Sequence, residues 1–190
     1  KYRYAQYKRA KKLARRQGYE IYKSHLIWFD DPEYLEADAL VREKRITGIP
    51  SDRCYVLLEL ARHVRAVPGD IAECGVHIFD SFAGLSEPAA EDHNPGGKTV
   101  WESGELAVAE ETVRANLERF GDRITLYKGW IPERFDEVEA KRFAFVHVDV
   151  DLYQPTLDSA AFFYPRLQSG GVIVCDDYGS AYCPGAKRAF

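Results

Sequence analysis

The chain has 190 residues, a formal net charge of −4 and 46% hydrophobic residues, a composition that suits one globular domain with a sizeable core. Charged residues make up 29%, so the balance of apolar and charged residues excludes an intrinsically disordered chain. No apolar run approaches the roughly 20 residues of a membrane span, and no signal peptide is visible. Four cysteines are scattered without a CxxC pair, which is typical of a reducing compartment and argues against a zinc site. We therefore expect a cytoplasmic protein that does not act at a membrane.

The N-terminal segment differs in charge from the rest of the chain. Residues 1–18 hold eight Lys and Arg and no acid, so they could contact nucleic acid or another anionic surface. No aromatic platform or glycine-rich RNA motif accompanies this charge, and we favour a solvated helix without a nucleic-acid partner. Residues 19–47 mix aromatic and acidic residues and suggest a helical cap that could also serve as a homo-oligomer interface. The sequence thus predicts an N-terminal helical arm over residues 1–50 and a core domain over 51–190.

Beyond residue 50, apolar runs that suit buried strands alternate with helical patterns, which predicts a doubly wound, mostly parallel α/β sheet. The helical patterns begin at Ser51, at residue 104 and at Pro155. A glycine- and proline-containing stretch over residues 84–101 is long enough to be a lid. The predicted strands lie at residues 70–76, 77–82, 124–130, 143–151 and 170–177.

The first two predicted strands follow one another without a break. Neighbouring parallel strands need a crossover of a dozen or more residues, usually a helix, and none follows Val76. Either residues 70–82 form one bent strand, or a crossover is missing from this sequence. We favour the missing crossover.

Two of the predicted strands end in paired acids. Asp149 and Asp151 share one side-chain period at the end of one strand, and Asp176 and Asp177 close the next. Carboxyl ends of neighbouring parallel strands meet at one sheet edge, where clustered carboxylates favour a bound cation such as Mg²⁺. We predict that Asp149, Asp176 and Asp177 are metal ligands; the alternative is that they cap the following helices. His147 shares the face of Asp149, and we expect it to be a buried histidine with satisfied hydrogen bonds.

Asp80 ends the second predicted strand. An acid at this point commonly accepts hydrogen bonds from a ribose, and Ser81 and Phe82 would then lie near an adenine. The alternative is that Asp80 caps its own turn. We favour ribose binding.

Several motifs in this order resemble the macrocin O-methyltransferase (TylF) family, from about residue 47 to the C-terminus. The motifs are GDIAECGV at residues 69–76, DSFAGL at 80–85, KGWIP at 128–132, HVDVDLY at 147–153 and CDDYG at 175–179. Each motif is weak alone, but their order and spacing are specific. The resemblance implies a Rossmann-like class I fold that binds S-adenosylmethionine (SAM) and Mg²⁺. It also implies methyl transfer to a hydroxyl of a small molecule, often a sugar of a glycosylated natural product.

The resemblance assigns further residues of the site. It implies that Glu73 and Gly75 contact SAM, although Gly75 could equally mark a tight turn. Gly129 and Trp130 lie in a motif of the family, and Trp130 could flank the cofactor or pack in the core. Asp151 is implied to be the general base that takes the proton of the acceptor hydroxyl, beside Asp149.

The chain also departs from the pattern of the family. The glycine-rich turn expected after Val76 and the last two strands of the fold are absent. A non-catalytic binding or assembly module therefore remains an alternative. A nicotinamide-dependent oxidoreductase is disfavoured, because no GxGxxG follows the first predicted strand.

Overall fold

The structure is a computed structural model, and it describes residues 2–17, 28, 31–43, 49–72 and 77–190. The chain divides into two compact units, Lys1–Leu60 and Ala61–Phe190. The helices of the described residues are α1 (Tyr2–Arg16), α2 (Pro32–Glu43), α3 (Ser51–His63), α4 (Glu110–Leu117), α5 (Tyr153–Phe163) and α6 (Pro184–Ala189). No helix in the described part of the chain is both long and apolar enough to cross a membrane.

In the first unit, α2 and the start of α3 are joined around a buried tyrosine. The Tyr34 hydroxyl donates to the carbonyl of Ser51, and its ring packs edge-on against Tyr55 with 5.0 Å between centroids. The Ser51 hydroxyl donates to Asp38 at 2.9 Å. These contacts confirm the predicted helix start at Ser51 and give this unit a small core of its own. The division into an arm over residues 1–50 and a core domain stays a prediction.

The second unit is built on one parallel sheet, as the sequence predicts. Five strands of the described residues form it in the order β3-β2-β1-β4-β5. Their bounds are β1 (Asp70–Ala72), β2 (His77–Asp80), β3 (Thr125–Lys128), β4 (Phe143–Val148) and β5 (Leu167–Cys175). The strand order reverses between β1 and β4, and ligands of open α/β sheets bind beyond the carboxyl ends of the strands at such a point.

The interior strand β4 is buried along its whole length, which explains its largely apolar sequence. Phe143 packs edge-on against Phe163 of α5, with 5.0 Å between ring centroids. Phe135 packs against Phe163 as well, at 4.9 Å. This aromatic cluster fixes α5 on the sheet and so fixes the point at which the chain leaves β4.

The first two strands are parallel neighbours although only residues 73–76 separate them. They overlap at a single pair, Ala72 with His77, so β2 begins beside the end of β1. Residues 70–72 and 77–80 are therefore two paired strands rather than one bent strand, and the missing crossover after Val76 stays a prediction. Residues 73–76, which include the predicted SAM contacts Glu73 and Gly75, lie outside the described residues.

The segment before α4 differs from the prediction. The amphipathic pattern over residues 104–120 forms α4 only over Glu110–Leu117. Upstream, the Gly104 amide donates to the Leu85 carbonyl and the Leu85 amide to the Glu105 carbonyl, both at 2.8 Å. These two bonds close the base of a long loop, which confirms the predicted loop over 84–101 and extends it to the start of α4.

A partly buried polar network lies towards the amino ends of the strands. The His77 ring contacts the Tyr127 hydroxyl through Nδ1 at 3.0 Å and Asp70 Oδ2 through Nε2 at 3.1 Å. Lys141 Nζ also donates to Asp70 Oδ2, at 2.7 Å. Burial lowers the pKa of His77, and the neighbouring charge of Lys141 adds to this, although Asp70 acts in the opposite direction. The imidazole is therefore neutral in the folded protein at neutral pH.

This network predicts a pH dependence of stability. Because the pKa of His77 is lower when folded than when unfolded, the unfolded chain binds more protons below about pH 6.5. The stability from neutral His77 is therefore complete above that pH and is lost as the pH falls towards the folded pKa. Urea unfolding of the parent and of His77→Gln between pH 7.5 and 5 should give a steeper loss for the parent. Equal slopes would contradict the assignment.

Candidate functional site

The carboxyl ends of β4 and β5 bring acidic residues together. Val148 pairs with Cys175 at the ends of the two strands, so the next residues, Asp149 and Asp176, leave the sheet side by side. Ligand atoms of Asp149, Asp176 and His147 lie within 4.8 Å of one another. The distance from His147 Nε2 to Asp176 Oδ1 is 3.6 Å. We call these three residues the first cluster.

A second cluster consists of Asp151, Asp177 and Cys183, whose ligand atoms also lie within 4.8 Å of one another. The Asp151 amide donates to Asp177 Oδ2 at 3.0 Å. The thiol of Cys183 donates to Asp151 Oδ1 at 3.5 Å and lies 3.7 Å from Asp177 Oδ1. Cys183 is only 2% exposed, so the thiol is a buried part of this edge.

The expectation that Asp149 and Asp151 lie side by side on one strand face is wrong. β4 ends at Val148, and Asp151 has a left-handed backbone with φ of 58°. The period of two therefore does not extend to Asp151, which turns towards Asp177 and Cys183 instead. An aspartate tolerates this conformation better than most residues, and the bond from its amide to Asp177 helps to hold it.

The predicted metal set is divided between the two clusters. Asp149 and Asp176 belong to the first cluster, whereas Asp177 belongs to the second. His147 is buried as predicted, at 5% exposed, but it also offers a ring nitrogen beside Asp176, which the sequence analysis did not expect. Carboxylate oxygens suit Mg²⁺ or Mn²⁺, and an imidazole nitrogen extends the choice to transition metals. The donor atoms of this edge fit a divalent cation.

The thiol of Cys183 is the functional candidate that the sequence analysis missed. Its only signal in the sequence is its position, six residues after Asp177, because its partners are set by the fold. Burial raises the pKa of Cys183 to about 12, and the nearby charges of Asp177 and Asp151 act in the same direction. The group is therefore a protonated thiol that can donate a hydrogen bond to either carboxylate.

The turn after β2 has the geometry of a capped turn. Asp80 Oδ1 accepts a hydrogen bond from the Phe82 amide at 2.7 Å, and Phe82 has φ of 55°. The Ser81 hydroxyl donates to the Gly84 carbonyl at 3.0 Å. Asp80 thus has the alternative role considered from the sequence, and it remains exposed at the carboxyl end of β2. Ribose binding by Asp80 stays a prediction.

The turn after β3 lies next to it. The Gly129 amide donates to the Asp80 carbonyl at 3.0 Å, and Gly129 has φ of 156°. A Cβ on Gly129 would lie 2.9 Å from Arg134 Cγ, so this position requires glycine. Trp130 is 40% exposed and does not belong to the core. The turns after β2 and β3 are therefore joined at the edge that carries the acids.

The macrocin O-methyltransferase (TylF) family model matches residues 70–190. The chain belongs to this family. The matched residues include every strand described above and both acidic clusters.

Three curated proteins are similar to this TylF-family chain. The 8-demethyl-8-(2,3-dimethoxy-alpha-L-rhamnosyl)-tetracenomycin-C 4'-O-methyltransferase of Streptomyces olivaceus is 35% identical over 134 residues, which are 68% of this chain and 51% of that protein. The demethyldecarbamoylnovobiocin O-methyltransferase of Streptomyces niveus is 29% identical, over 63% of this chain and 47% of that protein. The mycinamicin III 3''-O-methyltransferase of Micromonospora griseorubida is 29% identical, over 64% and 50%. The chain thus spans about half the length of the curated relatives it matches.

Solved structures share the fold. The crystal structure of CalS11, a calicheamicin methyltransferase, has a TM-score of 0.56 and 22% identity, with 84% of each chain covered. The structure of the O-methyltransferase NovP has a TM-score of 0.53 and 24% identity, with 70% of this chain and 68% of NovP covered. These similarities establish the class I methyltransferase fold of the TylF-family chain.

The buried thiol leads to a direct prediction. The thiolate is the species that iodoacetamide alkylates, and burial disfavours it at Cys183 both by raising the pKa of the thiol and by limiting access of the reagent. Cys183 should therefore stay unmodified in the native protein and react fully in denaturant, as measured by peptide mass spectrometry. Rapid alkylation of Cys183 in the native protein would contradict its place beside the two carboxylates.

Proposed function

We propose that this protein is a SAM-dependent O-methyltransferase that acts on a sugar hydroxyl of a glycosylated natural product and requires Mg²⁺. The observation that carries this proposal is the pair of acidic clusters at the carboxyl ends of β4 and β5, next to the switch point of a TylF-family sheet. By their names, one similar curated protein is a 4'-O-methyltransferase of a rhamnosyl-tetracenomycin, and the other two are O-methyltransferases of mycinamicin III and demethyldecarbamoylnovobiocin. An acceptor of the same chemical class is the simplest substrate for this chain.

The candidate metal ligands are Asp149, Asp176 and Asp177, with His147 as a further donor beside Asp176. Their support is proximity, since these side chains lie at the ends of two paired strands. Like charges at this spacing repel one another unless a cation or a proton compensates for them. Mg²⁺, when bound, supplies a positive charge that makes the proton of an alcohol easier to remove.

Asp151 is the candidate general base. Its carboxylate lies beside the candidate metal ligand Asp177, and its backbone is held by that residue. In this role, Asp151 would accept the proton of the acceptor hydroxyl, whose oxygen would take the methyl group as its bond to the sulfonium sulfur of SAM breaks and the neutral thioether leaves. The Cys183 thiol donates to the same carboxylate and restricts its orientation. SAM, when bound, supplies a methyl group that is already activated on a sulfonium, so alignment is the main task of the protein.

The candidate SAM contacts lie at the ends of the first three strands. In sequence, Glu73 and Gly75 come after β1, Asp80 ends β2 with Ser81 and Phe82 directly after it, and Gly129 and Trp130 come after β3. The exposed carboxylate of Asp80 and the exposed ring of Trp130 are consistent with a ribose contact and a stacking contact. Both turns present these groups at the edge that carries the acids.

The role of Asp151 predicts that Asp151→Asn abolishes turnover but leaves SAM affinity nearly unchanged. Asparagine keeps the size of the side chain and tolerates the left-handed backbone, but it does not accept a proton as a base. Turnover is measured as gain of one methyl group by mass spectrometry, with the three acceptors named for the relatives as probes. SAM binding is measured by calorimetry.

The matched control is Asp158→Asn on α5, where Asp158 accepts a hydrogen bond from Gln154 outside both clusters. This variant should turn over at the parent rate. If Asp151→Asn also turned over at the parent rate, Asp151 would have no role as a base.

The metal assignment predicts that a chelator stops turnover and that Mg²⁺ restores it. Asp176→Asn should weaken the binding of Mg²⁺, because the variant has one anionic ligand fewer. More Mg²⁺ is then needed for the half-maximal rate. The measurement is initial rate against free Mg²⁺ for the parent and the variant. Full activity of the parent in excess chelator would refute the metal requirement.

A further inference from the structure

A buried carboxylate outside both clusters joins the long loop to the candidate site. Asp92 is the last residue of a short 3₁₀ turn, Ala90–Asp92, in the loop that precedes α4. It is only 2% exposed. Burying a carboxylate is costly unless it accepts several hydrogen bonds, so its partners indicate what it does.

Both oxygens of Asp92 accept hydrogen bonds from backbone amides. Oδ1 accepts from the Tyr153 amide at 2.7 Å, and Oδ2 accepts from the Ala89 amide at 2.8 Å. Tyr153 begins α5, and the residue before it, Leu152, makes no side-chain capping bond. Asp92 therefore caps α5 from 61 residues away in sequence, with its negative charge at the positive end of the helix dipole.

The last helix packs against the same carboxylate. A Cβ built on Gly185 of α6 would lie 1.8 Å from Asp92 Oδ1 and 2.9 Å from Tyr153 Cβ. Only glycine fits such a close approach. Arg188, one turn further along α6, donates to the Glu91 carbonyl at 2.6 Å. The 3₁₀ turn, the start of α5 and α6 thus meet at Asp92.

The residues that contact Asp92 lie close in sequence to two members of the second cluster. Tyr153 follows Asp151 by two residues, and Gly185 follows Cys183 by two residues. We propose that Asp92 is a positioning residue that holds these two segments in register, so that the Cys183 thiol meets the Asp151 carboxylate. Its effect on turnover rests on the proposed function. Its effect on α5 and α6 does not.

The decisive variant is Asp92→Asn, which keeps the shape of the side chain. An amide has one acceptor oxygen, so its NH₂ group must face either the Tyr153 or the Ala89 amide, donor against donor. We expect hydrogen exchange of the amide that faces the NH₂ group, that of Tyr153 or that of Ala89, to quicken at least about tenfold. We also expect kcat to fall about tenfold or more while KM for SAM stays within about threefold.

Two controls separate positioning from a general loss of stability. Val138→Ala shortens a side chain in the core, where Val138 is 1% exposed. This variant should lower the melting temperature without changing kcat. Glu91→Gln alters the exposed neighbour of Asp92 and should change neither quantity. If Asp92→Asn lowered kcat no more than Val138→Ala at a similar melting temperature, the positioning role would be refuted.

A milder variant covers the case in which Asp92→Asn does not fold. Arg188→Gln affects only an exposed side chain that joins α6 to the turn, and we expect kcat to fall about threefold with KM unchanged. An unchanged kcat would refute the proposal.

Exchange of the Tyr153 amide in the parent protein is also decisive, because exchange as fast as in an uncapped helix end would disprove the cap. A parent without methyl transfer to any probe would refute the proposed function and the effect on turnover together.

Discussion

The pairing of β4 with β5 is the constraint on which the rest of the site depends. Val148 lies opposite Cys175, so the first residues beyond the two strands are both aspartates. A slip of one residue would turn the side chains of β4 to the opposite faces of the sheet. β4 is buried along its whole length, and such a slip is therefore prevented by the packing of Phe143, Phe145 and their neighbours. The hydrophobic core thus determines how close the carboxylates come.

The charged side chains at the amino ends of the strands have different neighbours from those at the carboxyl ends. At the amino edge, Asp70 lies between Lys141 and His77, and its pKa is lowered because these hydrogen bonds outweigh the effect of burial. At the carboxyl edge, aspartates lie beside one another, beside a histidine and beside a thiol. The first arrangement stabilises the folded chain directly. The second arrangement concentrates negative charge where a cation can bind, as expected for a functional edge that has not been optimised for stability.

Much of this architecture could be predicted from local sequence, because apolar runs and the acids after them are local signals. The apolar run in residues 143–151 predicted β4, which ends at Val148, and the paired acids predicted that carboxylates meet at the ends of β4 and β5. The left-handed turn at Asp151 could not be predicted, since its amide is bound by Asp177, 26 residues away. Cys183 contacts Asp151 across 32 residues, and Gly104 pairs with Leu85, so residues 104–109 of the expected helix belong to the loop. Patterns with a short period carry no signal for such contacts.

The long loop is held at two points, and an exposed turn lies between them. On one side the buried carboxylate of Asp92 fixes the chain, and on the other the Gly104 and Leu85 backbones are paired. Between these anchors, residues 94–98 form an exposed turn in which the Asn94 side chain accepts from the Gly96 and Lys98 amides. Doubling the length of such a stretch costs only about 0.6 kcal/mol in loop entropy. Insertions and deletions here can therefore accumulate during evolution, and a designer can exchange this stretch, while the acidic edge keeps its geometry.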